Sequence, residues 1–435
     1  MSEASPAVPG HRLFAGGYQL YALGLLFVVY VFNFIDRSIL AILIEPIKQD
    51  LKVSDSALGF LGGLAFALFY TALGVPIARL ADKHARRTIL VVCISIWSGM
   101  TALCGFAQSY AQLLFARIGV AVGEAGGSPP SHSMISDLFP LQSRATALGV
   151  YALGIPVGSM IGTLAGGWIN DAFDWRTAFK IVGVPGLLLA VLVRLTLREP
   201  TRGASDGFVT AAEHAPPVAD VIRGLWSRVS FRWLALGAGL HALPGYGTGV
   251  WNAPFFQRSH GLTTTQIGVA FFWLGIPAAI STFLGGSLAD LLGRRDVRWY
   301  VWLAALAVTL SIPPSIFCYL WPDHVVVLWF WIVPALLGSF WLAPAFSLTQ
   351  GLVGLRMRAV AASLMLFTLN IIGLGLGPWS VGVVSDLLNA YTTLGSESLR
   401  WSLVISTCVS FAACFCYVKA GTTLKSDLAR SQELG

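Results

Sequence analysis

Ala78-Arg-Leu-Ala-Asp82-Lys-His-Ala85-Arg86-Arg87 and Gly286-Ser-Leu-Ala-Asp290-Leu-Leu-Gly293-Arg294-Arg295 decide the fold once they are set side by side. Each closes an apolar run, keeps Leu-Ala-Asp and ends on an arginine pair, with the two copies 208 positions apart (82 to 290). Other landmarks recur at a shift of 214 or 215: Pro130 with Pro344, Arg144-Ala145 with Arg358-Ala359, Gly162 with Gly377, Gly167 with Gly382, and Asp171 with Asp386. Independent matches at nearly one shift mark an internal repeat, so the two halves of the chain read as copies of one structural unit.

The runs between these landmarks set the solvent. Of the 435 residues 56% are apolar and 11% are charged, whereas a soluble domain carries about a quarter charged residues. That much apolar surface needs lipid around it. Stretches of roughly 20 apolar residues, each enough to cross a bilayer, recur twelve times. Six fall in a first bundle, residues 18–197, and six in a second, residues 231–419. The first is Tyr18–Ile44, the fourth Ala111–Ser133, the seventh Phe231–Phe256 and the twelfth Leu399–Lys419. The expected fold is an all-α membrane protein of twelve transmembrane helices in two pseudo-symmetric six-helix bundles.

Charge orients the chain. The net charge is +7, and Lys83, Arg86, Arg87, Arg144, Arg198, Arg223, Arg228, Arg294, Arg295, Arg356, Arg358 and Lys425 fall in loops on one side. Opposite loops carry a thinner, mixed set such as Glu45, Lys48, Asp55, Asp171 and Asp323. The positive-inside rule makes the first side cytoplasmic, with a tail at 1–17 and another at 420–435 both inside. Short basic clusters between apolar runs serve topology, so no nucleic-acid partner is expected. The polar stretch 198–230 is the linker, and Val218, Val221, Ile222, Leu225 and Trp226, with Arg223 and Arg228, space as an amphipathic surface helix. The first residues lack the basic, apolar, small-residue order of a signal peptide, and the first span is expected to act as its own insertion signal. The six cysteines lie in or at the ends of apolar runs and read as buried thiols, without a metal or disulfide pattern. No nucleophile elbow, metal set or nucleotide loop points to an enzyme, and no cofactor is implied.

Ionisable residues inside the apolar runs carry the chemistry, because each is costly there and needs a partner or a cavity. The first span holds Asp36-Arg37 and the fourth holds Arg117 and Glu124. With a rise of about 1.5 Å per residue, Asp36 and Arg37 lie roughly 10–15 Å below the outer end, Arg117 about 8 Å and Glu124 about 18 Å. Arg117 and Glu124 share a helix face, while Asp36 and Arg37 point about 100° apart, so one can meet the fourth span and the other a central cavity. Burial favours a neutral carboxyl and a neighbouring guanidinium favours a charged one. A helix motion that changes the arginine contacts would therefore load and release a proton, H+ being the expected coupling ion. A static network holding two helices together is the alternative. The repeat places Val250-Trp251 and Gly338 where these charges stand in the first half, so coupling is expected from the first half alone.

The loops with Asp82, Arg86 and Arg87, and with Asp290, Arg294 and Arg295, joined by Arg144 and Arg358, are expected to latch one half to the other on the cytoplasmic side. Pro244-Gly-Tyr-Gly-Thr-Gly249 interrupts the seventh span like a bending gate, followed by Trp251 and Asn252. Tyr151, His241 and Asn370 are further polar-tipped residues within spans. All five are candidates for the substrate cavity, against the plainer reading of packed residues with satisfied hydrogen bonds.

The arginine loops resemble the major facilitator signature loop, the second copy more closely, since the first has Ala78 and Ala85 where glycines are usual. Asn33-Phe-Ile-Asp36-Arg37, Arg117-Ile-Gly-Val-Ala-Val-Gly123-Glu124-Ala125, Ile135-Ser-Asp-Leu-Phe139, Ile155-Pro-Val-Gly-Ser159 and Gly373-Leu-Gly-Leu-Gly-Pro378 with Ser385-Asp386 resemble the spinster family, as a bacterial member. The resemblance covers most of the chain. It implies a monomeric carrier in the bacterial inner membrane, working by alternating access and proton-coupled. Its implied partners are the lipid bilayer and an amphipathic lysolipid or sphingolipid-like substrate. Asp36, Arg37 and Glu124 would then be the coupling cluster and Asp82 part of the latch. Two alternatives stand beside it: a major facilitator carrier for a small organic anion or a drug efflux pump, and a non-transporting receptor or scaffold.

Overall fold

The computed structural model describes residues 16–203, 218–354 and 357–432, leaving aside the side chains of Asp82, Leu141, Gln142, Ala145, Val218, Ala359, Ser431 and Gln432. Residues 1–15 of the expected tail, 204–217 of the linker, Arg356 and residues 433–435 lie outside the described residues. In the first half, α1 is Gly16–Leu51 and α2 (residues 55–83) runs through Asp55–Gly59, a π-helical Phe60–Leu64 and Ala65–Lys83. Then come α3 at Arg86–Cys104 and α4 (residues 110–138), in which Tyr110–Glu124 and Ser128–Leu138 flank a short break. α5 (residues 141–172) joins Leu141–Ala152 to Gly154–Ala172, and α6 is Trp175–Thr196.

The second half repeats this order. After a surface helix, Val218–Trp226, α7 is Val229–His260, α8 Thr264–Gly293 and α9 Trp299–Leu320. α10 (residues 324–351) joins His324–Leu337 to Leu342–Gly351. α11 (residues 358–391) runs through Arg358–Thr368, a π-helical Leu369–Leu376 and Gly377–Tyr391, and α12 is Ser398–Gln432. Ten of these stretches are long and apolar enough to cross a membrane, among the described residues. α4 and α7, the other two expected spans, are helical but are not among those ten.

Helix ends are set locally. Ser109, Asp174 and Thr263 each accept a hydrogen bond from a backbone amide of the helix that follows, and Thr263 forms a capping box with Gln266. Gly261, at φ 65°, ends α7 in the left-handed region that a side chain rarely adopts. At the arginine-rich end, Asp296 binds Arg298 at 2.8 Å and Lys425 at 2.9 Å, tying the α8–α9 loop to α12. Those two cations hold the Asp296 carboxyl well below the usual carboxylate range.

Packing within each half uses one device twice. Along α5, a Cβ at Gly162 would come within 2.9 Å of the Ile35 backbone and one at Gly166 within 2.8 Å of the Ile39 side chain. Along α11, Gly373 would meet Ala242 at 2.6 Å, and Gly377, the repeat match of Gly162, abuts the Leu243 carbonyl of α7. With no hydrophobic force between helices in lipid, close backbone approach through small residues supplies the attraction. Between halves, α2 lies on α11 where the two π-helical segments meet, Gly63 against the Leu374 and Gly375 carbonyls. α5 lies on α8, Gly268 against the Thr163 carbonyl.

Several expectations need correction. α7 is one unbroken helix through Pro244 and Gly249, because Gly247 packs against Gly377 and a neighbouring helix covers the backbone that proline frees. The expected tail from 420 is not at issue in this: α12 runs on into it as helix to Gln432, with Ala420 and Leu424 buried against the second half. Cys408 is exposed, unlike the expected buried thiols, and all six cysteines are unpaired. In the surface helix Val221 and Leu225 are buried while the apolar Ile222 and Trp226 stay exposed.

The close α1–α5 contact yields a paired prediction. Gly162→Leu forces the two helices apart and lowers stability by about 1–3 kcal/mol. Gly24→Leu, at a position with nothing within 4 Å, leaves thermal unfolding in detergent unchanged.

Candidate functional site

Asp36 and Arg37 sit mid-way along α1, and Arg117 and Glu124 on the first segment of α4. The helices bring all four together. Arg37 Nε donates to Glu124 Oε2 at 2.5 Å, and Arg117 donates to the backbone carbonyl of Asp36 at 3.3 Å. Asp36, Arg117 and Glu124 are buried, at 2%, 3% and 1% exposure, while 22% of the Arg37 side chain remains exposed. The adjacent pair thus divides as helix geometry requires: Asp36 turns into the protein and Arg37 reaches an accessible space.

Two features of the cluster bear on its chemistry. Asp36 Oδ1, Glu124 Oε1 and Arg117 Nε are buried without a hydrogen-bond partner. Thr101 stands beside Asp36 and Asn33 beside Glu124, so the surroundings are sparsely polar. An orphaned carboxylate oxygen in a dry interior is costly, and a bound proton removes that cost. The second feature is the aromatic lining. The Arg37 guanidinium lies 4.7 Å from the Tyr70 ring centre and 5.1 Å from those of Phe34 and Phe66, and Arg117 lies 5.6 Å from Phe66. Rings hold a cation in place while presenting an apolar wall. Phe66 and Tyr70 were missed by reasoning from charge, although their spacing of four on α2 gave the signal.

The other candidates scatter. Tyr151 is buried, stacked on Tyr30 at 4.3 Å and edge-on to His132 at 5.2 Å. His241 packs edge-on against Trp341 at 5.3 Å, and its Nδ1 is without a partner. Asn370 is half-buried in the π-helical part of α11. Trp251 is fully buried and donates to the Pro378 carbonyl at 2.8 Å, bracing α7 on α11 rather than lining a space. Asn252 accepts from the Tyr319 hydroxyl at 3.0 Å and is likewise taken up by packing.

The expected latch has a different reach. Arg86 is buried and binds Asp137, Ser133, Glu199 and the Pro200 carbonyl, and Arg87 binds Glu199 and the Leu197 carbonyl, all in the first half or the start of the linker. These bonds clamp the ends of α3, α4 and α6 together instead of bridging the halves. Arg144 binds the Phe139 carbonyl at 3.3 Å, and Asp290 accepts from Tyr300 at 2.7 Å. Arg294, Arg295 and Arg358 are exposed, and the Asp82 side chain lies outside the described residues. A groove of about 730 Å³ runs between α8 and α10 past Trp273, Pro277 and Trp329; it is apolar and separate from the charged cluster.

Comparison with known proteins adds three relatives. A family model described as Major Facilitator Superfamily matches residues 26–378. An MFS-type efflux pump of Mycolicibacterium smegmatis is 32% identical over 413 residues, covering 94% of either chain. A sphingosine-1-phosphate transporter, SPNS2, of Xenopus tropicalis is 26% identical over 404 residues, covering 86% of this chain and 75% of that protein. A crystal structure of a bacterial homologue to the human lysosomal transporter spinster, inward-facing and unoccupied, is 31% identical and superposes with a TM-score of 0.86 over 95% of this chain and 99% of that one.

The Arg37–Glu124 pair predicts strong coupling between its members. Arg37→Ala lowers stability by about 3–5 kcal/mol, since it strands the buried Glu124 carboxylate, and Glu124→Ala costs less because Arg37 keeps access to solvent. The double variant loses at least about 1 kcal/mol less than the two added together. Chemical or thermal unfolding of the four proteins checks this, and simple additivity contradicts it.

Proposed function

This chain belongs to the major facilitator superfamily and is a transporter of the spinster type, and we propose that it is a proton-coupled secondary carrier of an amphipathic, lipid-like molecule. The observation that carries the coupling is the pair of buried carboxylates, Asp36 and Glu124, each with one oxygen lacking a hydrogen-bond partner beside two arginines. With both acids ionised the four groups sum to zero charge. One added proton leaves a net positive site.

Arg37 links that proton to the substrate. Its guanidinium has one ionic partner, Glu124, and an exposed edge among Phe34, Phe66 and Tyr70. A proton on Glu124 removes the partner and frees Arg37 for an anionic group of the substrate, such as a phosphate. The aromatic wall then meets the apolar part of the same molecule. Glu124 and the anionic group are exclusive partners of one cation, and the proton selects between them. A lysolipid or sphingolipid-like substrate has both parts, and the name of the Xenopus relative agrees with that class.

On this reading the arginine-rich end faces the cytoplasm of a bacterial inner membrane with both termini inside, an orientation that the basic loops support, and the carrier works as a monomer. The halves then meet at the outer end, the inward-facing arrangement. The M. smegmatis relative favours a second reading, efflux of drug-like amphiphiles by the same site.

Reconstitution in liposomes with an internal pH indicator tests the proposal. A panel of lysophospholipids, sphingoid phosphates and amphiphilic drugs is offered to wild type, Asp36→Asn and Glu124→Gln. We expect substrate-driven proton movement in wild type and its loss in both variants. Transport without proton movement contradicts the coupling, and transport of drugs alone replaces the lipid assignment with efflux.

A further inference from the structure

We propose that Asp171 and Asp386 form the two jaws of an outer gate, related by the internal repeat, with Arg258 as the bolt between them. Asp386, near the end of α11, accepts hydrogen bonds from the Asp55 and Ser56 amides at 3.1 and 2.7 Å. These are the first two residues of α2, in the other half. Asp171, at the end of α5, accepts from the Thr264 hydroxyl at 2.6 Å and the Thr265 amide at 2.7 Å. These are the first two residues of α8, again in the other half. Each jaw therefore sets a carboxylate on the positive end of a helix across the interface.

The two jaws share their steric setting as well. A Cβ on Gly382, four residues before Asp386, would come within 2.7 Å of the Asp55 carbonyl carbon. A Cβ on Gly167, four residues before Asp171, would come within 2.8 Å of the Thr264 carbonyl carbon. So at both places the halves touch backbone to backbone, and an aspartate one helical turn further along closes the contact. The repeat made this device once and the fold uses it on both flanks.

Between the jaws lies a charged knot. Arg258, near the end of α7, forks onto Asp55 at 2.7 and 2.8 Å and donates to Glu45 of α1 at 2.6 Å. Ser385 donates to Asp55 at 2.7 Å, and Lys48 binds it at 2.6 Å. Glu45 and Arg258 stand 213 positions apart, one short of the repeat shift, so near-equivalent positions of the two central helices carry opposite charges and meet. The side chains of Arg258, Asp55 and Glu45 are only 11%, 3% and 10% exposed. At the opposite end the arginines instead bind within their own half or are exposed, as described above. One end is therefore held shut by bonds that span the halves, and these must break together when a carrier rocks open.

The inference extends the carrier reading, but its readout is conformational and needs no substrate. Failure of coupling or of the lipid assignment leaves it standing, and its own failure leaves them untouched. The full chain in liposomes is spin-labelled at the exposed outer positions Gln108 and Asn389, and separately at His84 and Leu291 for the other end. In wild type the short outer distance dominates. Asp171→Asn and Asp386→Asn each raise the ratio of long to short outer distances by about tenfold, and Arg258→Gln raises it further. Gly167→Ala and Gly382→Ala, which remove no polar group, move it the same way, so a folding defect in one variant does not decide the test. The His84–Leu291 distance shortens in parallel. Unchanged outer distances in the aspartate and glycine variants overturn the proposal. A shift confined to one of the two jaws overturns their equivalence.

Discussion

A charge inside a hydrocarbon layer persists only beside an opposite charge, and that constraint arranges the first half of this molecule. Arg37 on α1 needs Glu124 on α4, so α4 must bring its first segment alongside α1 at one depth. Asp36 and Arg37 then point apart, because neighbours on a helix diverge by about 100°. One is sealed in the interior while the other reaches accessible space. One oxygen of each acid is left without a partner, and the proposed proton coupling rests on that.

The same economy shapes the fold around it. Lipid gives no hydrophobic reward for bringing helices together, so backbones approach through glycine, along α5 on α1 and along α11 on α7. The repeat preserved that packing while it let the chemistry diverge. Val250, Trp251 and Gly338 occupy the places of Asp36, Arg37 and Glu124, and Trp251 serves there as a fully buried brace. The jaws at Asp171 and Asp386 show the opposite outcome, in which the repeat kept a polar contact intact on both flanks.

Much of this was legible in the sequence, for identifiable reasons. Helix number and the two-bundle division follow from run length and repeat spacing, since each span must satisfy its own backbone in lipid. The four charges were found because ionisable residues in apolar runs stand out against their surroundings. What escaped was whatever depends on how the halves meet. Asp171 and Asp386 were visible as matching landmarks, yet nothing local says that each caps a helix of the other half. Glu45, Asp55 and Arg258 looked like ordinary residues near loops, because a contact spanning more than 200 positions leaves no periodic trace. The Pro244–Gly249 stretch misled in the other direction. Helix-breaking residues in α7 are neutralised by Gly377 of α11, a partner invisible in the local sequence.

The central claim is that protons bind at Asp36 and Glu124, and it is tested most directly without any substrate. Proteoliposomes adsorbed on a solid-supported electrode are given a rapid step in external pH, and the transient charge displacement is recorded. The account predicts a displacement in wild type that is reduced in either Asp36→Asn or Glu124→Gln and absent when both are replaced. A displacement of undiminished size in the double variant would place the proton elsewhere and contradict the account.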